Sequence, residues 1–133
     1  MRALLLLVAF LISVGAPARA DEVAAAQKVI RSQVEAFGRD DAAAAWSHAA
    51  PAIREMFPQD AFMAMVRGSY APVYRHRSFE FGVARTADGR IALRAHIVDA
   101  EGVPWEALYT LERQPDGSLK ISGCTLLKAG QAV

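Results

Sequence analysis

Apolar residues change their spacing once along the chain, near Arg75. Upstream they recur every three or four positions, the period of a helix with one buried face. Downstream they alternate with polar residues, the period of a strand with one buried face. Val23, Ala26, Ile30, Val34 and Phe37 form the first helical stripe, predicting a helix over residues 22–37 with Asp21 as its cap and Gly38 as its left-handed stop. Asp40 or Asp41 is placed to cap a short helix over residues 42–48 that carries Trp46. Pro51 suits the first position of a further helix over 51–57, where its missing N–H costs nothing. Phe62, Met65 and Val66 share a face of a fourth, over 60–67. Residues 70–74 contain Pro72, which disfavours helix at the preceding residue, and are read as an extended bridge.

Four strands are expected beyond that bridge. Phe79, Phe81 and Val83 alternate with Ser78, Glu80 and Gly82; Ile91, Leu93, Ala95 and Ile97 alternate with Arg94 and His96. Trp105, Ala107, Tyr109 and Leu111 alternate with Glu106, Leu108, Thr110 and Glu112; Leu119, Ile121 and Gly123 alternate with Lys120, Ser122 and Cys124. Turn chemistry separates them at Ala87-Asp88-Gly89, at residues 99–102 and at Pro115-Asp116-Gly117. Three hairpins in a row make an antiparallel meander whose apolar face needs a cover, and the helical half supplies it. The expected class is α+β: a long N-terminal helix and short helices on a curved four-stranded sheet.

Residues 1–20 stand apart from this pattern. Arg2 precedes an apolar run over residues 3–14, and Gly15-Ala16-Pro17-Ala18-Arg19-Ala20 follows with the small-x-small pattern of a signal-peptidase site. The reading is a signal peptide cleaved before Asp21, and an exported, periplasmic or secreted domain over residues 21–133. The run is too short for a membrane span, so no stable membrane anchor is expected. With 15 Lys+Arg against 14 Asp+Glu, losing Arg2 and Arg19 leaves 13 against 14, a formal charge of −1. That near-neutral balance, without basic blocks, excludes a nucleic-acid footprint. The single cysteine, Cys124, allows no disulfide within the chain; it is read as a buried apolar residue, with pairing between chains as the alternative.

Several segments in order resemble an uncharacterised bacterial group, domain-of-unknown-function family 4864. They are Gln33-Val34-Glu35-Ala36-Phe37 with Asp40-Asp41, Pro51-Ala52-Ile53 with Phe57, and Phe62-Met63-Ala64-Met65-Val66 with Tyr70. Pro72-Val73-Tyr74-Arg75, Trp105-Glu106-Ala107-Leu108-Tyr109 and Ile121-Ser122-Gly123-Cys124 complete the series. One departure is His76, where a proline commonly follows the Tyr-Arg pair. The element order is also similar to the cone-shaped nuclear-transport-factor-2-like fold. The resemblance implies a fold and carries over no catalytic residue.

A cone of this kind can hold a ligand between sheet and helices, and an enzyme built on it needs a carboxylate or imidazole inside. If Phe79, Leu93, Tyr109 and Ile121 point inward, then Glu80, His96, Glu106 and Glu112 point outward, leaving Trp105, Tyr109 and Thr125 as the polar-capable inner groups. His48, His76 and His96 form no metal motif, and no cofactor is expected. Arg75-His76-Arg77 is a short basic cluster at the junction of the halves. The candidate ligand-binding set is aromatic: Trp46, Phe62, Tyr70, Tyr74, Trp105 and Tyr109. Plain core packing is its structural counterpart. The expected function is non-catalytic binding of a small apolar ligand or a protein partner. The alternatives are an enzyme whose base comes from the helical half, His48 foremost, and a homodimer formed through the sheet.

Overall fold

The computed structural model describes residues 16–130. The apolar run over residues 3–14, and with it most of the expected signal peptide, lies outside the described residues. Five helices precede four strands: α1 (Ala16–Gly38), α2 (Ala42–Ser47), α3 (Pro51–Met56), α4 (Gln59–Ser69), α5 (Ala71–Tyr74), β1 (His76–Ala87), β2 (Arg90–Asp99), β3 (Pro104–Arg113) and β4 (Leu119–Lys128). The architecture is α+β. The sheet is an antiparallel meander in the order β1-β2-β3-β4, with the helices packed on one face. Among the described residues no helix is long and apolar enough to cross a membrane.

Helix α1 starts earlier than its stripe suggested, so Asp21 is an exposed interior residue and not its cap. Its end also differs from expectation. Gly38 is still helical, and the left-handed residue is Asp40, at φ 56°. The Asp41 amide donates to Ala36 O (2.9 Å) and the Asp40 amide to Phe37 O (3.1 Å), the paired bonds of a Schellman cap. Asp tolerates this conformation better than most residues because its short polar side chain finds local partners. Here the partners are the Tyr74 hydroxyl and the Arg75 guanidinium, 3.2 Å from Asp40 Oδ2. Arg75 Nη1 also donates to Phe37 O at 2.9 Å, so the basic junction closes the last turn of α1. Asp41 then caps α2 by accepting from the Ala44 amide at 3.1 Å.

Residues 71–74 form the short helix α5 and not an extended bridge: Pro72 lies in the first turn, where an N–H would have no helical partner. Between α2 and α3 the chain makes one bridge onto the sheet. The Ala50 amide donates to Ile121 O (2.8 Å) and the Ile121 amide to His48 O (2.9 Å), pinning the helical layer to β4.

The core is a continuous apolar layer between α1, α4 and the inner sheet face. Ala26, Ile30, Phe37, Phe62, Met63 and Val66 meet Ile91, Leu93, Ala95, Ile97, Ala107, Tyr109, Leu111 and Ile121. Leu93 is fully buried and His96 exposed, the parity expected for β2.

Two β-bulges correct that parity on the outer strands. In β1, Phe81 pairs with Ala95 but Ala84 with Leu93, so one extra residue intervenes and Val83 turns out to solvent, 68% exposed. In β4, Thr110 pairs with Gly123 but Leu111 with Ile121, which leaves Ser122 as the extra residue. Beyond it Cys124, opposite Tyr109, and Leu126, opposite Ala107, face inward, whereas Thr125 is exposed. Adding one residue to a period of two reverses every side chain that follows. Each bulge carries a glycine crowded by its neighbour. A Cβ on Gly82 would lie 2.8 Å from His96 Nε2, and one on Gly123 would lie 3.0 Å from Thr110 Oγ1.

Candidate functional site

Past the β4 bulge Gly123 brings no side chain and Cys124 turns inward beside Tyr109, and space remains between these residues and the helical layer. The result is a cleft of about 450 Å³, open to solvent. Its walls come from α1 (Gln33, Phe37), from α3 and its flanks (Ala49, Ile53, Phe57), and from α4 (Phe62, Met65, Val66). Tyr70 and Val73 close one end, and Tyr109, Ile121 and Cys124 form the floor.

Most of this lining is aliphatic or aromatic. The polar exceptions are few and each has an identifiable status. Gln33, the one buried polar residue among those described, donates through Nε2 to Ala45 O at 3.1 Å and ties α1 to α2. The Tyr70 hydroxyl donates to Cys124 O at 2.9 Å, hooking the start of α5 onto β4. Ser69 stands exposed at the rim. The Tyr109 hydroxyl is different. Its residue is 1% exposed, and the oxygen is buried without a nitrogen or oxygen partner. Its polar neighbour is the Cys124 thiol, with which it shares a weak hydrogen bond, sulfur being a poor acceptor.

Burial governs the ionisation of this floor. It pushes the Cys124 thiol up to about 12, partly offset by Tyr109, and raises the Tyr109 phenol well above its usual value, with Cys124 adding to the shift. Both groups are therefore protonated at neutral pH. A thiol so placed is a poor nucleophile. No carboxylate, imidazole, guanidinium or ammonium lines the cleft among the described residues. The lining can pack against an apolar body, and among the described residues it holds no general base.

Of the six aromatic candidates, Phe62, Tyr70 and Tyr109 line the cleft, and three lie elsewhere. Trp46 is turned behind α3, where its Nε1 donates to Phe57 O at 2.8 Å and the Arg54 guanidinium lies 5.3 Å from the ring centroid. Tyr74 packs on Phe37 from the far side, with Arg75 4.0 Å above its ring and its hydroxyl on Asp40. Trp105 sits at the β2–β3 turn, donating from Nε1 to Asp99 Oδ2 at 3.0 Å. That bond, followed by one from the Val103 amide, holds the Asp99 carboxyl below its usual range. In each case an aromatic with a polar tip found its partner on the protein, away from the cleft. Gln33 and Cys124 escaped the sequence reading as lining residues. Gln33 carried a signal, lying three residues after Ile30 and four before Phe37 on the apolar stripe. Cys124 carried none without the bulge.

His48 lies half-buried between α2 and α3; burial, then Lys120, lowers its pKa, and it does not line the cleft. His76 shares a hydrogen bond with Val73 O and packs on Phe79. His96 is on the opposite sheet face, its Nδ1 2.5 Å from Glu106 Oε1.

Residues 19–132 match the family model described as Domain of unknown function (DUF4864). No curated protein matches the chain. Among solved structures, the chain is similar to the solution structure of a SEC-C motif containing protein from Rhodopseudomonas palustris. The two share 14% identity over 73% of this chain and 74% of the other, with a TM-score of 0.53, a likeness of fold.

Proposed function

For a chain that belongs to the DUF4864 family, whose description names no activity, we propose a non-catalytic binding function: the domain holds a small, largely apolar molecule in the cleft between α4 and β3–β4. One observation carries this reading. The cleft is large enough for a small ligand, mostly apolar, and free of any lining group able to move a proton near neutral pH. An enzyme with a base from the helical half draws no support from His48, which stands outside the cleft. In this reading the helices and the curved sheet act as a cone of the nuclear-transport-factor-2-like kind, and the domain works outside the cytoplasm after cleavage before Asp21. The charge-then-apolar pattern of residues 1–20 supports export, and the family match beginning at residue 19 is consistent with a domain that starts near the cleavage site.

A second reading, a homodimer through the outer sheet face, has its own support: Leu108 and Leu127 are 42% and 44% exposed there, near the His96–Glu106 pair. Native mass spectrometry of protein recovered from the cell envelope tests all three proposals together. The expected species is a chain beginning at Asp21 that carries a non-covalent small-molecule mass. A chain retaining Met1 in the cytoplasm contradicts export. A ligand-free chain that also fails to bind the neutral fluorophore 1-aminoanthracene contradicts the binding reading. A concentration-independent dimer mass supports the second reading.

A further inference from the structure

We infer that the molecule held in this cleft carries a hydrogen-bond donor, a hydroxyl or an amide N–H, which it gives to the side-chain carbonyl of Gln33. The inference rests on the binding reading above and adds where the ligand's polar group points. Gln33 stands on the apolar stripe of α1, fronts the cleft and is 4% exposed. Its amide has two protons and two carbonyl lone pairs to place. One proton goes to Ala45 O, at 3.1 Å. A backbone carbonyl only accepts, so the atom facing it is the nitrogen, and the orientation of the amide is fixed. Oε1 and the second proton are left without a partner among the described residues. The Tyr109 oxygen is sealed within the core and takes no part; Gln33 Oε1 is not sealed, and the space its side chain fronts is the cleft.

What a ligand must bring follows from what it displaces. The cleft is open to solvent, so water can satisfy Gln33 Oε1 until something else fills the space. An apolar body that fills it drives that water out. Unless the body supplies a donor, a desolvated carbonyl is left in an apolar wall, which costs more than one satisfied hydrogen bond gains. Tyr70 adds to the same bias. Its proton is held by Cys124 O at 2.9 Å, so its oxygen has only acceptor capacity left. Inside the rim, the unengaged side-chain capacity is therefore two acceptors, Gln33 Oε1 and Tyr70 Oη, against one strong donor, the second Gln33 N–H. A hydroxyl matches this set, because it donates to Oε1 and accepts from the N–H. An amide does the same with its own N–H and carbonyl. An ether, a ketone or a hydrocarbon has no proton to offer.

Three probes of one shape separate the possibilities: 2-naphthylmethanol, 2-methoxynaphthalene and 2-ethylnaphthalene, titrated calorimetrically into the protein and into Gln33→Met. The alcohol is expected to bind about tenfold more tightly than the ether, the effect of satisfying a buried carbonyl in place of stripping it, and more tightly than the hydrocarbon. In Gln33→Met, shown to be folded by circular dichroism, the alcohol's advantage over the ether should fall to within about twofold while the hydrocarbon's affinity is kept. Carbon NMR of the native protein gives a reading that needs no variant to fold. The Gln33 Cδ resonance should lie downfield with the alcohol bound relative to the ether, because only the alcohol donates to its oxygen. Equal affinity of alcohol and ether, tightest binding by the ether or the hydrocarbon, or an alcohol advantage that survives in folded Gln33→Met would overturn the inference and leave the binding reading standing. One Cδ position with all three probes bound would overturn it equally. Failure of all three probes to bind would overturn both.

Discussion

Replacing Tyr109 with phenylalanine removes a single oxygen from the floor of the cleft and keeps the ring that packs against Phe79. In most proteins a buried tyrosine hydroxyl has a partner, and its loss costs stability. Here the oxygen is buried with only the Cys124 thiol beside it, so the folded protein bears most of its desolvation, a penalty of about 1–3 kcal/mol. Contact with the Cys124 thiol relieves only a small part of it, because sulfur accepts weakly. The variant should therefore be more stable than the native protein by about 1 kcal/mol, or about 4–8 °C in midpoint temperature for a domain of this size. Urea denaturation by tryptophan fluorescence gives the difference, read from the midpoint at unchanged slope. A loss of 1 kcal/mol or more in Tyr109→Phe would show that the hydroxyl is satisfied in solution.

Other consequences can be checked in the same denaturation experiments. Leu93 is fully buried on the inner face, so Leu93→Ala should cost about 2–5 kcal/mol; His96→Ala on the outer face, where the imidazole is half exposed, should cost less, and a reversed order would contradict the β2 register. Cys124 has a folded pKa of about 12 against an ordinary value of 9.0, so between these values the unfolded chain releases a proton that the folded one keeps. Stability supplied by that thiol is intact below about pH 9 and falls as pH rises, by about 1.4 kcal/mol per unit. Cys124→Ala should flatten this part of the alkaline slope, which is measured by denaturation at pH 8, 9 and 10; an unchanged slope would mean the thiol is not buried. Asp41→Ala should cost about 1 kcal/mol through loss of the α2 cap, and a neutral result in thermal denaturation would remove that role.

The element order, the α+β class and the β2 and β3 registers were legible because helical and strand periods differ and each element carries enough apolar positions to show its own. The Asp88-Gly89 turn was legible for a local reason: both residues take positive φ, 50° and 75°, as a two-residue hairpin demands. What escaped was set by contacts distant in sequence. The bulges at Gly82-Val83 and Ser122-Gly123 leave local alternation looking intact, and only pairing with β2 and β3 reveals the extra residue. The left-handed Asp40 owes its place to Tyr74 and Arg75, more than thirty positions away. Aromatic character alone marked Trp46 and Trp105 as readily as Tyr109. Which of them meets the cleft depends on where Phe57 O and Asp99 stand ready to accept an indole proton.

Occupancy of the cleft is the claim on which the rest depends, and filling it with protein tests that claim most directly. Met65 lines the cleft from α4 and is only partly buried, so Met65→Trp can place an indole in the cavity without displacing the fully buried core. Titration of 1-aminoanthracene, a neutral fluorophore, into the native protein and into Met65→Trp, with circular dichroism to establish that the variant is folded, gives the answer. The account predicts saturable, one-to-one binding to the native protein and at least tenfold weaker binding to the folded variant, a loss of about 1.4 kcal/mol. Equal binding to both would place the ligand elsewhere, and no binding to the native protein would contradict the account.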